Sequence, residues 1–201
     1  MAKRKWNEKH VHNIKIAKKV KEILTLLNIN SEDENFKDTP RRFTQVLEDF
    51  NYVNSEEGKK ELKYLFTRKF KSKYNGMVVS KDIIVYSLCP HHMLPIKYKI
   101  HFSYIPEGYV LGLSKVIDII KLLCAKPALQ EDMTMEIADK FCEELKVKGL
   151  MVIIDGQHSC MQIRDSEARE TSTITSCVRG VFFKENDTKF PAKDEFMGLI
   201  K

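Results

Sequence analysis

Apolar residues recur every three or four positions in the first part of the chain, which is the spacing of amphipathic helices. Between Val11 and Asn28, lysines separate a set of apolar side chains at this spacing: Ile14, Ala17, Val20, Ile23, Leu24 and Leu27. Thr39 then precedes Pro40, and this pair predicts an N-cap followed by a proline in the first turn of a second helix. A third helix is predicted from Glu56 to Phe66.

From about Met77 onward, the pattern changes to the alternation that is typical of strands. Every second residue from Ile96 to Tyr104 is apolar, and the residues between them are polar, which predicts a strand with one buried face. Further strands are predicted at Ile83–Tyr86, Val110–Leu113, Met151–Ile154, Ser159–Arg164 and Thr171–Phe183. Helices are predicted at Ser114–Cys124, with Ser114 as the cap, at Glu131–Leu145, and after Lys193.

The order of the predicted elements indicates the fold class. Helices come first, followed by strands, a pair of helices and further strands, which is the order of an α+β fold. We expect antiparallel hairpins to form the sheet and the helices to gather on one of its faces. Residues 71–201 are predicted to be the working domain, and residues 1–70 a basic tail with N-terminal helices.

Composition and charge narrow the functional classes. Of the 201 residues, 43% are hydrophobic and 31% are charged, as in folded globular chains. No apolar run approaches the ~20 residues that cross a bilayer. No secretory signal follows the basic N-terminus, so we expect a cytoplasmic protein without membrane contact. The net charge of +6 suits an anionic ligand, but the basic residues are not interleaved with aromatic ones, and a nucleic-acid partner is not expected.

Two short clusters combine cysteine with histidine. Cys89, His91 and His92 follow a predicted strand, and His158 and Cys160 lie two positions apart further along. Because residues two apart in a strand face the same side, the second pair can enter one cavity. Thiolates and imidazoles are the ligands that zinc prefers. A closed Cys2His2 site would be structural, three ligands plus water would be catalytic, and two unrelated buried pairs are the third possibility.

Other polar residues fit ligand contacts less specifically. Ser114 and Lys115 stand where a strand runs into a helix, and the free amides, hydroxyl and ammonium there can bind a phosphate. Glu131 lies in the first turn of a predicted helix, where the helix dipole favours a carboxylate whatever its function. Arg164 lies four positions beyond Cys160, so on a strand it would share that face and could meet an anion.

The remaining three cysteines are interpreted as packing residues. Cys124 and Cys142 fall on apolar faces of predicted helices, and Cys177 has apolar neighbours in a predicted strand. The total of five cysteines is odd and no secretory context is indicated, so disulfides are not expected.

Several motifs follow one another in an order and at spacings that resemble a single family. They are Cys89-Pro-His91-His92-Met-Leu-Pro95, Tyr104-Ile-Pro106, Gly112-Leu-Ser114-Lys115, Gln130-Glu131, His158-Ser-Cys160-Met-Gln-Ile-Arg164, Thr173-Ile-Thr175-Ser176, Arg179-Gly180-Val181-Phe182 and the upstream Asp38-Thr39-Pro40-Arg41-Arg42. Together they resemble the GTP cyclohydrolase I family from about residue 12 to the C-terminus. The resemblance implies the tunnelling fold, in which small α+β subunits form a toroidal homo-oligomer, usually a decamer, with active sites at subunit interfaces.

The resemblance also implies roles for the residues of the two clusters. Cys89, His92 and Cys160 match the zinc ligands of the family, which leaves a fourth position for water. His91 and His158 match the catalytic histidines. Zinc with an open position activates water near neutral pH. The implied reaction is the hydrolytic opening of the guanine ring of GTP at C8, with release of formate and rearrangement to 7,8-dihydroneopterin triphosphate.

Substrate contacts are implied by the same resemblance. Glu131 matches the carboxylate that binds the guanine ring, and Gln130 assists it. The residues that match triphosphate contacts are Ser114, Lys115 and Arg164, with Arg42 from a neighbouring subunit. The pathway that uses the product, whether folate, a pterin cofactor or a deazaguanine, is left open by the sequence.

Three positions depart from the family pattern. Pro90 stands where the family has a glutamate, which removes a carboxylate and stiffens the loop. Asp118 stands where the family often has a phosphate-binding arginine, and a carboxylate would repel a triphosphate. Asp165 replaces the usual glycine after Arg164, in a loop about one residue shorter than usual.

Two alternatives to a GTP cyclohydrolase I are left open. Pro90 and Asp118 support the first, a related enzyme that opens the ring of a less phosphorylated guanine nucleotide or a related purine. The second is a non-catalytic binding module with a closed zinc site, for which the net charge of +6 would suit nucleic acid as the partner.

Overall fold

The structure, a computed structural model, describes residues 14–164, 170–183 and 192–201 of the chain. Its helices, numbered in chain order, are α1 (Ile14–Leu26), α2 (Thr39–Asp49), α3 (Glu56–Thr67), α4 (Leu113–Cys124), α5 (Gln130–Leu145), α6 (Ser159–Gln162) and α7 (Ala192–Ile200). Its strands are β1 (Lys69–Lys71), β2 (Val78–Leu88), β3 (Pro95–Pro106), β4 (Tyr109–Leu111), β5 (Val147–His158) and β6 (Thr173–Gly180). No described helix has the length and apolar character needed to cross a membrane.

The main sheet is antiparallel and has four strands in the order β2-β3-β5-β6. β2 and β3 form a hairpin, and β3 pairs with β5 along its whole length, from Ile96 opposite His158 to Pro106 opposite Val147. The end of the β2–β3 hairpin connection therefore lies beside the end of β5. The predicted α+β class with an antiparallel sheet is confirmed.

One face of this sheet carries the principal hydrophobic core. The alternate residues of β3 that the sequence predicted to face inward are completely buried: Ile96, Tyr98, Ile100, Phe102 and Tyr104. They pack against the apolar faces of α4 and α5, which include Ile119, Leu123, Ile137 and Phe141. Burial of this face against two helices is the main source of hydrophobic stabilisation in the described structure.

The opposite face of the sheet is also partly covered, and here the prediction that all helices lie on one face is wrong. Met151 and Ile153 of β5 point away from the principal core and form a second cluster with Phe196 of α7. Because β5 is apolar on both faces at this point, it has no alternating pattern, which is why the sequence indicated only its centre.

The N-terminal helices join the rest of the chain through α3 and a small second sheet. Leu65 and Phe66 of α3 belong to the principal core, and β1 pairs antiparallel with β4. The strand predicted at Val110–Leu113 thus exists as β4 but pairs outside the main sheet. α1 packs against α2. The division of the chain at residue 70 stays a prediction.

Three local predictions are corrected by the structure. Asp38 occupies the N-cap position of α2, one residue before the predicted Thr39. Gly112 occupies that position in α4, so Ser114 lies within the first turn and does not cap it. The strand predicted at Ser159–Arg164 is the helical turn α6.

Candidate metal centre and surrounding site

Two cysteines and one histidine from distant parts of the chain meet at one end of the main sheet. One ligand atom each from Cys89, His92 and Cys160 lies within 4.8 Å of the others. Both cysteines are buried, whereas His92 is exposed. Among the described residues, this cluster has three donors, which is the number found in catalytic zinc sites rather than in closed structural ones.

The short connection between β2 and β3 positions two of these donors. The Cys89 amide donates to the Leu94 carbonyl oxygen at 2.8 Å, and the Met93 amide donates to the Cys89 carbonyl oxygen at 2.8 Å. These bonds close a tight loop in which Met93 has a φ of 54°. Within the loop, the Cys89 Sγ lies 3.7 Å from Nδ1 of His92.

The third donor comes from the segment after β5, and it reaches the cluster for a different reason from the predicted one. His158 is the last residue of β5, and Cys160 lies in the helical turn α6. The rule that strand residues two apart share a face therefore does not apply to this pair. Instead, the pairing of Ile96 with His158 brings the start of α6 beside the β2–β3 connection.

Arg164 is also placed by this helical turn. Its Nε donates to the Cys160 carbonyl oxygen at 2.8 Å, which is a contact between residues one helical turn apart. The predicted sharing of a strand face by Cys160 and Arg164 is wrong, because the segment is not a strand. Asp165, which departs from the family pattern, lies outside the described residues.

The two other histidines of the predicted site occupy different surroundings. The His91 Nδ1 lies 3.9 Å from the Cys89 Sγ, but His91 is exposed and outside the three-donor cluster. His158 is half-buried, and its ring packs edge-on against Tyr98 with 6.3 Å between centroids. Burial lowers the pKa of His158, and the nearby charge of Glu131 opposes that shift.

Gln130 and Glu131 begin helix α5 beside His158. The Oε1 of Gln130 lies 2.8 Å from the Nε2 of His158. Gln130 is only 3% exposed, whereas the Glu131 side chain is exposed to solvent. The first turn of a helix favours the carboxylate of Glu131, and its charge opposes the lowering of the pKa of His158.

The residues predicted to contact phosphate are found in the first turns of α4 and α2. Ser114 and Lys115 follow the N-cap Gly112, and the Lys115 Nζ lies 2.7 Å from the Oδ2 of Asp118. Arg42 of α2 is exposed, and its Nη2 lies 3.2 Å from the Oδ2 of Asp38. Contact of Arg42 with a neighbouring subunit stays a prediction.

Sequence reasoning missed several residues that support the site. The Gln130 side chain is held by Thr175 of β6 and by the backbone of β5, and Tyr98 packs on His158. The motif containing Thr175 was noticed, but no sequence signal showed that its hydroxyl meets Gln130. Such contacts join residues that are distant in sequence.

The cysteines outside the cluster pack as predicted, with one addition. Cys124 is fully buried in the principal core, and Cys142 packs at its edge. Cys177 is buried, and its Sγ accepts a hydrogen bond of 2.8 Å from Nη1 of Arg179. The Nε of Arg179 donates to Asp139 of α5. All five cysteines are free thiols.

The chemistry of the three-donor cluster fits zinc. Two thiols and one imidazole are soft and borderline donors, a combination that favours Zn²⁺ over Mg²⁺ or Ca²⁺. Cys89, His92 and Cys160 would hold the ion.

Comparison with known proteins places this site in a family. A family model described as GTP cyclohydrolase I matches residues 16–201. The GTP cyclohydrolase 1 of Aquifex aeolicus is 37% identical over 187 residues, which cover 93% of this chain and 96% of that protein. The corresponding protein of Clostridioides difficile is also 37% identical over 187 residues, covering 92% and 95%.

A more distant similarity was found among solved structures. The archaeosine synthase QueF-Like in the apo form superposes with a TM-score of 0.41 at 16% identity, over 55% of this chain and 97% of that one. This similarity is too remote to bear on function. The family match and the identities extend over nearly the whole chain and include the three-donor cluster, and the chain therefore belongs to the GTP cyclohydrolase I family.

Proposed function

We propose that this chain is a zinc-dependent GTP cyclohydrolase I. It opens the imidazole ring of the guanine of GTP at C8, releases formate and forms 7,8-dihydroneopterin triphosphate. The observation that carries the proposal is the meeting of Cys89, His92 and Cys160 within 4.8 Å, next to a segment that ends in His158. Relatives named GTP cyclohydrolase 1 with 37% identity over 92–93% of the chain support it.

The metal has one role in this proposal. When bound by these three residues, zinc supplies Lewis-acid activation of water at neutral pH, which the hydrolysis of a purine ring requires. The chain's own residues bind and orient the nucleotide and move protons.

Glu131 is proposed to select guanine. Its exposed carboxylate is an acceptor-only group in the first turn of α5, one residue after Gln130, which contacts His158. The N1–H and 2-amino groups of guanine are a matching pair of donors. Adenine presents no such pair, so a carboxylate here discriminates against it.

Proton transfer is proposed for the two histidines outside the three-donor cluster. His158 lies at the end of β5, two residues before Cys160, and is oriented by Gln130 and Tyr98. We assign to His158 the transfer of a proton to the nitrogen of the opening ring. His91, which is exposed beside Cys89, is assigned a second proton-transfer role.

The triphosphate is proposed to lie along the start of α4. Ser114 and Lys115 in the first turn of α4 offer a hydroxyl and an ammonium beside the helix N-terminus. Arg164 adds a guanidinium from the segment after α6, and Arg42 of a neighbouring subunit adds another.

We further propose that the chain forms a toroidal homo-oligomer with active sites at subunit interfaces. β2 and β6 are the two edge strands of the main sheet, and each has only one described partner. Exposed apolar side chains lie on both edges, including Tyr86 on β2 and Ile174 on β6. Pairing of β2 in one subunit with β6 in the next would cover both edges and close a ring.

Incubation of the zinc-loaded protein with GTP, GDP, GMP and guanosine tests the proposed activity. Formate and, after oxidation, pterin fluorescence are measured. Release of both products from GTP is the expected result. Absence of formate from all four compounds, with zinc bound and the protein folded, would overturn the proposal and favour a binding role.

The ion pair in the first turn of α4 favours a second candidate function. Lys115 and Asp118 lie 2.7 Å apart and are both partly buried, so the carboxylate neutralises a predicted phosphate contact. Such a site would suit an enzyme of the same chemistry that acts on a less phosphorylated guanine nucleotide. Pro90, which replaces a family carboxylate, is a second altered position in the site.

Substitution Asp118→Asn tests this alternative, because it removes the charge with little change in shape. If the ion pair lowers the preference for triphosphate, kcat/KM should rise for GTP and stay unchanged for guanosine. Glu143→Gln is the matched control, since it removes a similar ion pair of 2.6 Å with Lys140 near the far end of α5. An unchanged ratio of GTP to guanosine activity would show that Asp118 does not set the preference for triphosphate.

A further inference from the structure

The side chain of Gln130 has a hydrogen-bonding environment that fixes its orientation. Its Nε2 lies 2.7 Å from the carbonyl oxygen of Thr173 and 3.1 Å from that of Ile154. Carbonyl oxygens only accept hydrogen bonds, so the amide nitrogen must face them. A flipped amide would place its oxygen against two buried carbonyl oxygens with no hydrogen between them, which is unfavourable.

Two threonines extend this network and agree with the same orientation. The Thr134 hydroxyl donates to the backbone carbonyl oxygen of Gln130 at 2.7 Å, so the Thr134 hydroxyl oxygen remains available as an acceptor. The Thr175 hydroxyl lies 2.7 Å from this Thr134 oxygen and can donate to it. The Thr175 oxygen then accepts from Nε2 of Gln130 at 3.1 Å. The three acceptors around Nε2 thus all agree with one orientation of the Gln130 amide.

With the amide in this orientation, the Oε1 of Gln130 is an acceptor that lies 2.8 Å from the Nε2 of His158. Two atoms that both lack hydrogen would repel at this distance, so Nε2 must carry the hydrogen. We propose that Gln130 is a positioning residue that holds His158 in the tautomer with hydrogen on Nε2, so that His158 exchanges its catalytic proton through Nδ1.

The proton movement balances in this arrangement. With both ring nitrogens protonated, Nδ1 releases its proton to the nitrogen of the opening purine ring, and Nε2 keeps its hydrogen on Gln130. The neutral ring that results has its free lone pair on Nδ1, where water can return the proton. The bond between Nε2 and Gln130 persists in both states, so the ring does not need to rotate.

A glycine makes the approach of Gln130 possible. A Cβ added at Gly156 would overlap the Oε1 of Gln130 and lie 3.0 Å from Cε1 of Tyr98. Gly156 lies on β5, two residues before His158. Because it has no side chain, the amide of Gln130 can approach the strand at this position. The site thus leaves space for the amide that orients His158.

This inference rests on the proposed catalytic role of His158 and changes the role expected for Gln130. The resemblance implied that Gln130 assists in binding guanine. In the structure, the amide hydrogens of Gln130 face protein acceptors, and its oxygen faces His158. Gln130 should therefore influence turnover more than substrate affinity.

The tautomer can be measured directly by solid-state NMR of the sedimented, zinc-loaded protein with ¹⁵N-labelled histidine. The variant His158→Asn identifies the His158 signals. We expect hydrogen on Nε2 of His158 and none on Nδ1 in the neutral ring. Hydrogen on Nδ1 with a bare Nε2 would overturn the proposal, even if the protein releases formate from GTP.

Kinetics of substitutions at Gln130 provide the second test. Gln130→Met has a similar shape but lacks both polar atoms, and it should reduce kcat about 10- to 100-fold with little change in KM for GTP. A rise in KM with unchanged kcat would show that Gln130 binds substrate and would contradict the proposal.

Gly156→Ala covers the case in which Gln130→Met does not fold. The new methyl group should displace the Gln130 oxygen, reduce kcat and allow hydrogen on either nitrogen of His158. Gly198→Ala is the matched control, because nothing lies within 4 Å of a Cβ added there. Wild-type kcat and tautomer in Gly156→Ala would overturn the proposal. Failure of the wild-type protein to act on GTP would instead overturn the proposed function and leave the tautomer result standing.

Discussion

Each of the three donor residues should be required for the metal site. Cys160→Ala removes one of two thiols from the cluster, so we expect loss of bound zinc and of formate release together. Zinc per subunit, measured by atomic absorption, checks this outcome. Cys142→Ala is the control, because Cys142 is a thiol outside the cluster. Full zinc content in Cys160→Ala would contradict the assigned ligand set.

His158 should affect the reaction without affecting the metal. His158→Ala is expected to lower kcat about 10²- to 10⁴-fold, the usual contribution of an acid–base group, while zinc stays bound. The control variant His101→Ala alters a histidine on another strand, outside the site. Near-normal turnover in His158→Ala would show that another group moves the proton.

The sequence predicted the metal-binding residues better than it predicted their surroundings. Cysteine and histidine at short spacings indicated zinc, and the resemblance separated the ligands Cys89, His92 and Cys160 from the other histidines. The role of Gln130 could not be predicted in this way. Its partners lie 24 to 45 positions away in the chain, on strands whose register no local pattern specifies.

At the scale of elements, a strand is recognisable when only one of its faces is buried. β3 alternates because its inward residues pack on α4 and α5 while the intervening lysines remain exposed. β5 is apolar on both faces, so its length was underestimated. The segment Ser159–Arg164 alternates over too few residues to distinguish a strand from the helical turn α6.

Two glycines with positive φ allow a test of how the ends of single strands contribute to stability. Gly180, at the end of β6, has a φ of 63°, and an added Cβ would overlap the Lys148 carbonyl oxygen. Gly108 has a φ of 82° with open space around it. Gly108→Ala should lower the free energy of unfolding by about 1–2 kcal/mol through backbone strain alone.

Gly180→Ala should cost more than Gly108→Ala, because the same backbone strain is joined by overlap with the neighbouring strand. Urea unfolding of both variants beside the wild type measures the difference. Equal losses of unfolding free energy in the two variants would show that β5 and β6 can move apart at Gly180 without loss of stability.

At the scale of the whole molecule, the uncovered edge strands support the assembly proposed above. Ile174 on β6 is 67% exposed in the single chain. Ile174→Lys should therefore produce smaller species in sedimentation velocity and reduce formate release. Met135→Lys is the control, because it adds the same charge at an exposed apolar position of α5. An unchanged oligomer would indicate that β6 does not form the interface.

A pH dependence of stability is expected from His101, which lies away from the metal site. Burial lowers its pKa below the ordinary value of 6.5, with Asp82 opposing this shift. Lys99 and Lys81 add to the lowering, and Asp155 also opposes it. Below pH 6.5, His101 is therefore protonated more in the unfolded chain than in the folded one, and its contribution to the free energy of unfolding should decrease as the pH falls.

Urea unfolding between about pH 7 and pH 5 tests this expectation. His101→Gln cannot titrate, so its free energy of unfolding should fall less steeply than that of the wild type. Identical slopes would assign the acid sensitivity to other groups.

The pairing of β3 with β5 has a consequence for the order of events during folding. Cys89 and His92 lie in a hairpin connection that can form early, because its hydrogen bonds are local. Cys160 joins them only when Ile96 has paired with His158, a contact between residues far apart in the chain. A refolding chain should therefore acquire high metal affinity late, and the rate of zinc uptake should report the slow closure of the central strands.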